Sequence, residues 1–546
     1  MMSPLVLLLS FALLTVAAPA VIRPRQLHSS YAPTQAPCPH GSLVRPTTSI
    51  STAESAYISS RKTKADAALK TWLLRTNSDF GTTCKLPLVA LTTSGGGIRS
   101  LLVGAGVTQG LDARDSNVGT SGVFQALTYQ AGLSGGGWLL SSFAGNNYPT
   151  ISSLENNLWK PAFQDTLLVP SSVPNATATT DYDLITNDIL AKQAAGFPPT
   201  LVDPYGRVLS YQLLYGPDGG VTTRLSSITE FSNFTSYNVP YPIITSLGVN
   251  TFQGQCVPSS NTTQYEFHPY EFGSWDKGVS AFTQTAYLGT SLTNGVPNGT
   301  CIMNYDNLGY VLGTTANLFN DICVDPPNNI TTNPLTSGFA PFVAAAHPLT
   351  ARDEFAVYPN PFYKYPPSTL VSAQKELDLV DGGETLQNNP LWPLIQPERA
   401  VDVIIVNDNS ADTSDNFPNG SEILTTFVQA QAEGLTKMPF IPSAAIFVSQ
   451  GLNKRPTFFG CHDNSKITIV YLPNQEYTSA SNMSTFQLEF PEAETAATIA
   501  NGVQVASKGG DKEWPTCLAC AIMMKSGDSL PKACTSCFST YCYSQG

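Results

Sequence analysis

Apolar residues along this chain fall into short unbroken runs that end at glycine. Residues 86–93 (LPLVALTT) form one such run, rich in branched side chains, and stop at Ser94-Gly95-Gly96-Gly97. This is how a strand buried on both faces enters a tight turn. Positions 99–109 then carry the apolar spacing of a helix, with Gly104 and Gly106 as places of close packing. The pattern repeats: 124–131 reads as a strand, Gly132-Leu133-Ser134-Gly135-Gly136 as a turn, and 139–144 as a helix. Residues 377–380 (LDLV) and 400–406 (AVDVIIV) are two further short strands, the first running into Asp381-Gly382-Gly383-Glu384. Beyond it Glu384, Asn388, Asn389 and Pro390 open a helix-like segment. Ahead of all these, 53–76 has helical spacing with Thr52 as its cap. Short buried strands bounded by helices predict an α/β fold, a three-layer core around a mostly parallel central sheet.

Between about 150 and 350 the periodicity fades, and we read a large loop-rich insertion carrying short helices and strands. The 546 residues would ordinarily suggest several domains, but Gly (41) and Pro (41) are scattered and no linker appears, so one large domain is expected. Residues 1–20 hold an apolar run from Leu5 to Val16 followed by Ala17, Ala18 and Ala20, the layout of a secretory signal and too short for a membrane span. No later segment is long and apolar enough either, so a secreted, soluble chain without a transmembrane segment is expected.

Export changes how the eleven cysteines read: most belong in disulfides, with the odd one free or paired between chains. The spacing C-x2-C-x13-C-x2-C-x4-C from Cys517 to Cys542 is similar to a zinc ribbon, but in an exported chain it favours a cystine-rich tail over 514–546. Seven glycosylation sequons, at Asn175, Asn233, Asn261, Asn298, Asn329, Asn419 and Asn482, agree with that compartment, five of them inside the insertion. The formal charge of −12 and pI near 4.9 disfavour a nucleic-acid partner and simple adsorption to anionic membranes. Contact with a lipid would need apolar surface or a few local basic residues.

The chemistry sits at the strand ends. Gly132-Leu133-Ser134-Gly135-Gly136 matches G-x-S-x-G, in which a serine stands on a sharp strand-to-helix turn and the following helix aims its first N–H groups at the reacting oxygen. A plain glycine-rich turn is the competing view. The three glycines after Ser94 can turn backbone N–H groups inward as an anion nest, and Arg99 can hold a phosphate or steady an oxyanion. A nucleotide loop fits less well, because the lysine of G-x-x-x-x-G-K-S/T and the G-x-G-x-x-G spacing are both missing. Asp381, directly after a strand and before two glycines, can project from the sheet edge toward the serine. The five histidines, His28, His40, His268, His347 and His462, occupy no strand-end context; His462 is the first to test as a triad member.

The blocks SGGGIRS (94–100), GLSGGGW (132–138), YPNPF (358–362), VDGGETLQNNPLWPLI (380–395), NDNSADT (407–413), RPTFFGC (455–461) and the terminal WPTCLACAI…ACTSCFSTYC resemble the fungal phospholipase B, or lysophospholipase, family. That family is similar in its motifs to cytosolic phospholipase A2 and, more remotely, to the patatins. The blocks run in the same order from about residue 38 to the end, so one catalytic domain over 38–546 is expected. The resemblance implies that Ser134 attacks an acyl carbonyl, that Asp381 takes the serine proton, and that the N–H groups of Gly96 and Gly97 form the oxyanion hole. Arg99 would engage the lipid phosphate or steady the site. It implies phospholipid and lysophospholipid substrates at micelle or membrane surfaces, and no cofactor or metal. Gly137 departs from the family, where a serine is common. No apolar tail follows Cys542, so a GPI anchor is not expected. Two other readings stay open: an α/β-hydrolase esterase with a histidine triad, and a catalytically silent wall glycoprotein.

Overall fold

The computed structural model describes residues 29–164, 166–168, 178–324 and 339–544. The expected leader, His28 and the sequons at Asn175 and Asn329 lie outside them. A twelve-stranded mixed sheet runs through the molecule. Its first strand, β1 (Val44–Pro46), precedes helix α1 (Thr52–Thr76), whose cap is Ser51 rather than Thr52; the Ser51 hydroxyl accepts from the Glu54 N–H. The two strand–glycine–helix units follow: β2 (Val89–Thr93) into α2 (Gly97–Leu111), and β3 (Leu127–Gly132) into α3 (Ser134–Gly145). Both helices begin at the glycine turn itself, ahead of the apolar spacing, because a first turn made of glycines carries no periodicity. Residues 124–126, expected as strand, form a helical turn (Val123–Ala126) instead. Gly122 enters it at φ +109°, and Arg61 holds it by donating to the carbonyls of Gln125 and Leu127.

Between 150 and 350 the structure corrects the expectation of an insertion. Helices α4 (Ala178–Ala194) and α5 (Val202–Leu213) are there, but so are four strands of the main sheet: β4 (Tyr241–Val249), β5 (Gln264–Phe267), β6 (Glu271–Ser274) and β7 (Ala281–Gln284). β4 is buried at every position, so no polar alternation marks it, and four-residue strands are too short for a period to register. Helices α6 (Leu308–Thr314) and α7 (Ala340–Ala346) close this region.

The sheet is completed by β8 (Ala356–Pro359), β9 (Glu376–Val380), β10 (Val403–Asp408), β11 (Thr457–Phe459) and β12 (Thr468–Pro473). Helices α8 (Ser421–Glu433), α9 (Glu492–Ser507), α10 (Trp514–Met523) and α11 (Ala533–Tyr541) accompany them. Across the sheet the order is β11-β12-β10-β2-β3-β4-β5-β6-β7-β1, with β9 on β4 and β8 on β9. β12, β10, β2, β3 and β4 run parallel, as expected of the centre, and antiparallel strands extend both margins. Burial at every position of these five strands means that helices cover both faces.

Both expected close-packing glycines are confirmed. A Cβ on Gly106 would stand 2.0 Å from the Ile499 carbonyl oxygen of α9, and one on Gly104 2.6 Å from Thr93 Cγ2. Arg399 joins α1 to the sheet through ion pairs of 2.8 Å to Glu54 and 2.8 Å to Glu266. The segment after Glu384 is a series of turns and not a helix, since Leu386 takes φ +58° and the neighbouring side chains reach outward to other elements.

Ten cysteines pair as Cys38–Cys301, Cys256–Cys323, Cys461–Cys542, Cys517–Cys537 and Cys520–Cys534. The C-x2-C spacings place Cys517 and Cys520 on one face of α10, and Cys534 and Cys537 on one face of α11. Two antiparallel helices so marked cross-link twice, and the sulfurs that a zinc ribbon would use are bonded to each other. Cys84 is the free, exposed thiol. Thiol titration of the native protein is therefore expected to find one reactive group per chain, removed by Cys84→Ser; additional thiols would contradict the pairing.

Candidate active site

The position of the site follows from β4. Along one edge of this strand β3 pairs in parallel up to Gly132 opposite Ile244, while β9 pairs antiparallel, from the other direction, down to Val380 opposite Leu247. The opposite edge carries β5. Two strands thus run head to head and stop about 10 Å apart, three residues of strand rise. Asp381 is the first residue past one end and Ser134 the second past the other. Only Thr245 and Ser246 lie between the two pairings, and Ser246 Oγ donates to the Val380 carbonyl, fixing where β9 ends.

Ser134 opens α3 with φ +49°, a left-handed conformation that side-chain-bearing residues seldom adopt. Contact between the two glycine turns enforces it. A Cβ on Gly135 would lie 2.0 Å from the Gly97 carbonyl oxygen, and one on Gly95 2.9 Å from Ser134 Cβ. Gly96 and Gly97 have φ +139° and +63°, and their N–H groups, at the start of α2, donate to no acceptor among the described residues. They are free to meet an anion beside the serine.

The segment after α6 staples the two strand ends together. The Thr315 carbonyl accepts from the N–H groups of Ser134 at 3.1 Å and Gly382 at 3.2 Å, and the Asn317 carbonyl accepts from Asp381 N–H at 2.9 Å. Thr315 Oγ1 also accepts from Ser134 N–H at 3.1 Å and donates to the Thr245 carbonyl at 2.6 Å. A Cβ on Gly137 would stand 2.9 Å from Thr315 Cγ2, so the departure at Gly137 leaves room for this threonine.

The Asp381 carboxylate is buried and accepts from Gly383 N–H at 2.6 Å, and the Ser134 side chain lies close enough to lower its pKa. Burial lifts its pKa from 3.8 to about 6, against the Gly383 N–H and the neighbouring Ser134 side chain, which pull it down. Glu384 follows closely and is pushed up to about 9, first by burial and then by the charge of Asp381.

Arg99 falls beside the glycine turn but does not present a free charge. Its side chain is buried, Nε and Nη2 donate to the Asn409 carbonyl at 3.2 and 3.0 Å, and Nη1 to the Met483 carbonyl at 2.6 Å. A Cβ on Gly96 would lie 2.4 Å from Nη2. The guanidinium braces the turn, the steadying role expected of it as the alternative to phosphate contact, and burial lowers its pKa to about 10. Asn388 is a second brace, unsuspected in the sequence. Its amide accepts from Gly95 N–H at 3.1 Å and donates to the Gly95 carbonyl at 3.2 Å. Thr315 and Asn317 lie in no motif, and Asn388, though inside the 380–395 block, acts like them through contacts distant in the chain.

None of the four described histidines bonds Ser134 or Asp381. His268 is buried against Tyr241, with burial lowering its pKa to about 3; His347 is exposed and pairs with Asp353; His462 is exposed against Ser544; His40 is exposed. Of the described sequons, Asn261 and Asn298 are exposed, and Asn233, Asn419 and Asn482 are half-buried.

The fold is that of the cytosolic phospholipase A2 catalytic domain. Human GIVD cytosolic phospholipase A2 matches with a TM-score of 0.68 and 16% identity over 90% of this chain and 69% of that chain. The lysophospholipase catalytic domain profile matches residues 89–546. Lysophospholipase 2 of Aspergillus fumigatus is 36% identical, covering 97% of this chain and 96% of its own length. Lysophospholipase 3 of Saccharomyces cerevisiae is 35% identical over 94% and 81%. The chain belongs to the lysophospholipase family and is a lipid ester hydrolase.

Burial of Asp381 has a thermodynamic consequence. Its pKa is raised in the folded chain, so stability falls as pH climbs from 3.8 to about 6. Near neutrality the ionised carboxylate costs about 3 kcal/mol. Asp381→Asn is expected to raise the unfolding temperature by a few degrees near pH 7, a gain that vanishes near pH 4; scanning calorimetry at the two pH values checks this.

Proposed function

We propose that this chain is a secreted phospholipase B, or lysophospholipase, hydrolysing acyl esters of glycerophospholipids and lysophospholipids through an acyl-serine intermediate. The observation that carries the reading is the Ser134 side chain set against a buried Asp381 carboxylate, beside N–H groups of Gly96 and Gly97 that meet no acceptor among the described residues. Ser134 Oγ adds to the acyl carbonyl carbon while Asp381 takes its proton, and the carbonyl oxygen gains an electron pair that the two N–H groups stabilise. Collapse of this intermediate expels the glycerol oxygen of the lipid, which takes the proton from Asp381, leaving acyl-Ser134. Water then adds with Asp381 again as base; the fatty acid leaves and the serine is restored. A carboxyl group near pKa 6 suits both directions of transfer better than one near 4.

An apolar cavity of about 420 Å³ between α4, α5 and α7 suits the acyl chain. Phe342 lines it and meets Tyr205, ring centroids 6.2 Å apart, and Tyr205 feels the charge of Asp381. With a net charge of −12, contact with a micelle or membrane falls to apolar side chains; Leu386, on the Asp381 loop, is 61% exposed. Five disulfides and the exposed sequons Asn261 and Asn298 support export.

With a soluble short-chain ester, kcat/KM is expected to fall as pH drops through about 6, and a fluorophosphonate probe to label the wild type but not Ser134→Ala. An inflection near 7 that one histidine substitution abolishes would instead establish a triad. Ala345→Trp, at an exposed position lining the cavity, is expected to lower kcat/KM about tenfold for long-chain lysophospholipids and to spare short-chain esters, a comparison of chain lengths being the check.

A further inference from the structure

Glu384 has no part in the scheme above, yet it is placed on the flank of its base. Glu384 Oε2 accepts from Asn320 Nδ2 at 2.7 Å, and the same nitrogen donates to the Cys256 carbonyl at 3.3 Å. The remaining oxygen of each side chain, Glu384 Oε1 and Asn320 Oδ1, is buried without a hydrogen-bond partner among the described residues. Asn320 is 1% exposed, so bulk solvent does not reach its amide. Two buried acceptors left over on side chains already joined through their other ends is what a carboxylate facing a primary amide produces, and each orphan carries a desolvation penalty.

One proton removes both orphans. A carboxylic acid presents an O–H and a C=O side by side, the complement of the C=O and N–H of a primary amide, so the two groups close into a ring of two hydrogen bonds. We propose that Glu384 is held as a neutral carboxylic acid whose O–H donates to Asn320 Oδ1, and that this acid–amide pair is a positioning device that keeps a second negative charge away from Asp381. The charged groups acting on Glu384 are both acidic, Asp381 on its own loop and Asp321 on the turn Asp321–Val324, and with burial they push its pKa to about 9. Ionisation there would break the ring and set a negative charge beside the anionic intermediate. The proposal rests on the Ser134–Asp381 reading for its catalytic consequence and on the side-chain geometry alone for the proton itself.

The test uses the intact, disulfide-bonded enzyme. The infrared difference spectrum of wild type minus Glu384→Gln near pH 7 is expected to show a protonated carboxyl C=O band, which disappears from the wild type above pH 9. The wild-type kcat should fall about tenfold per pH unit beyond that point, and Glu384→Gln, which keeps the ring but cannot ionise, should lose this fall. Carboxylate bands in place of the C=O band, or the same alkaline limb in both enzymes, overturn the proposal. So does a Glu384→Gln enzyme whose only change is a raised KM for choline-bearing lysolipids, which would make Glu384 an ionised head-group contact. Should Glu384→Gln not fold, Asn320→Ala serves: the C=O band moves to higher frequency when its amide partner is lost, and an unmoved band counts against the pair. If Asp381→Asn proves active, the dyad fails while the infrared band still reports the Glu384 proton, so the two failures are distinguishable.

Discussion

One edge of β4 is occupied by two strands that approach each other from opposite ends of the molecule, and the gap between them is the place where the chain puts its hydroxyl and its carboxylate. Strand geometry sets the separation, because pairings at Ile244 and Leu247 leave no freedom for the residues just beyond Gly132 and Val380. Everything else near the site serves that gap. Thr315 bonds both loops, Ser246 fixes the end of β9, and glycines at 97, 135 and 136 let backbone press on backbone.

Bringing these groups together works against stability. Ser134 sits at positive φ, the buried Asp381 carboxylate has no cation among its hydrogen-bond partners in the described residues, and the N–H groups of Gly96 and Gly97 meet no acceptor there. The surrounding structure offsets this strain with a dense frame: a fully buried parallel centre, glycine-tight contact between α2 and α9, and the Arg399 ion pairs that tie α1 to β5. Arg99 belongs to this frame. A guanidinium spent on two carbonyls holds a turn in place, whereas one left free would compete for the anion that the turn is shaped to receive.

The parts legible in the sequence were those written locally. A branched run stopping at glycine, a serine between glycines and a helix after it are neighbours in the chain, so β2, β3 and the turns holding Ser134, Gly96 and Gly97 could be read directly. Asp381 could be placed at a strand end but not its direction of approach, since the antiparallel pairing of β9 with β4 joins residues far apart in sequence. The strands from Tyr241 to Gln284 went unread because total burial erases alternation in β4 and brevity hides it in the others. Thr315, Asn317, Asn320 and Asn388 hold the site through amides and carbonyls whose partners folding alone brings near.

The Cys256–Cys323 cross-link joins the two segments on which Asn320 depends, one carrying the carbonyl that its amide meets and the other carrying Asn320 itself. One covalent bond therefore sets the surroundings of the Glu384 side chain as well as the outer shell. A chain still in its dithiol form would lack that tie, and the asparagine that bonds Glu384 would be held in place by packing and hydrogen bonds alone.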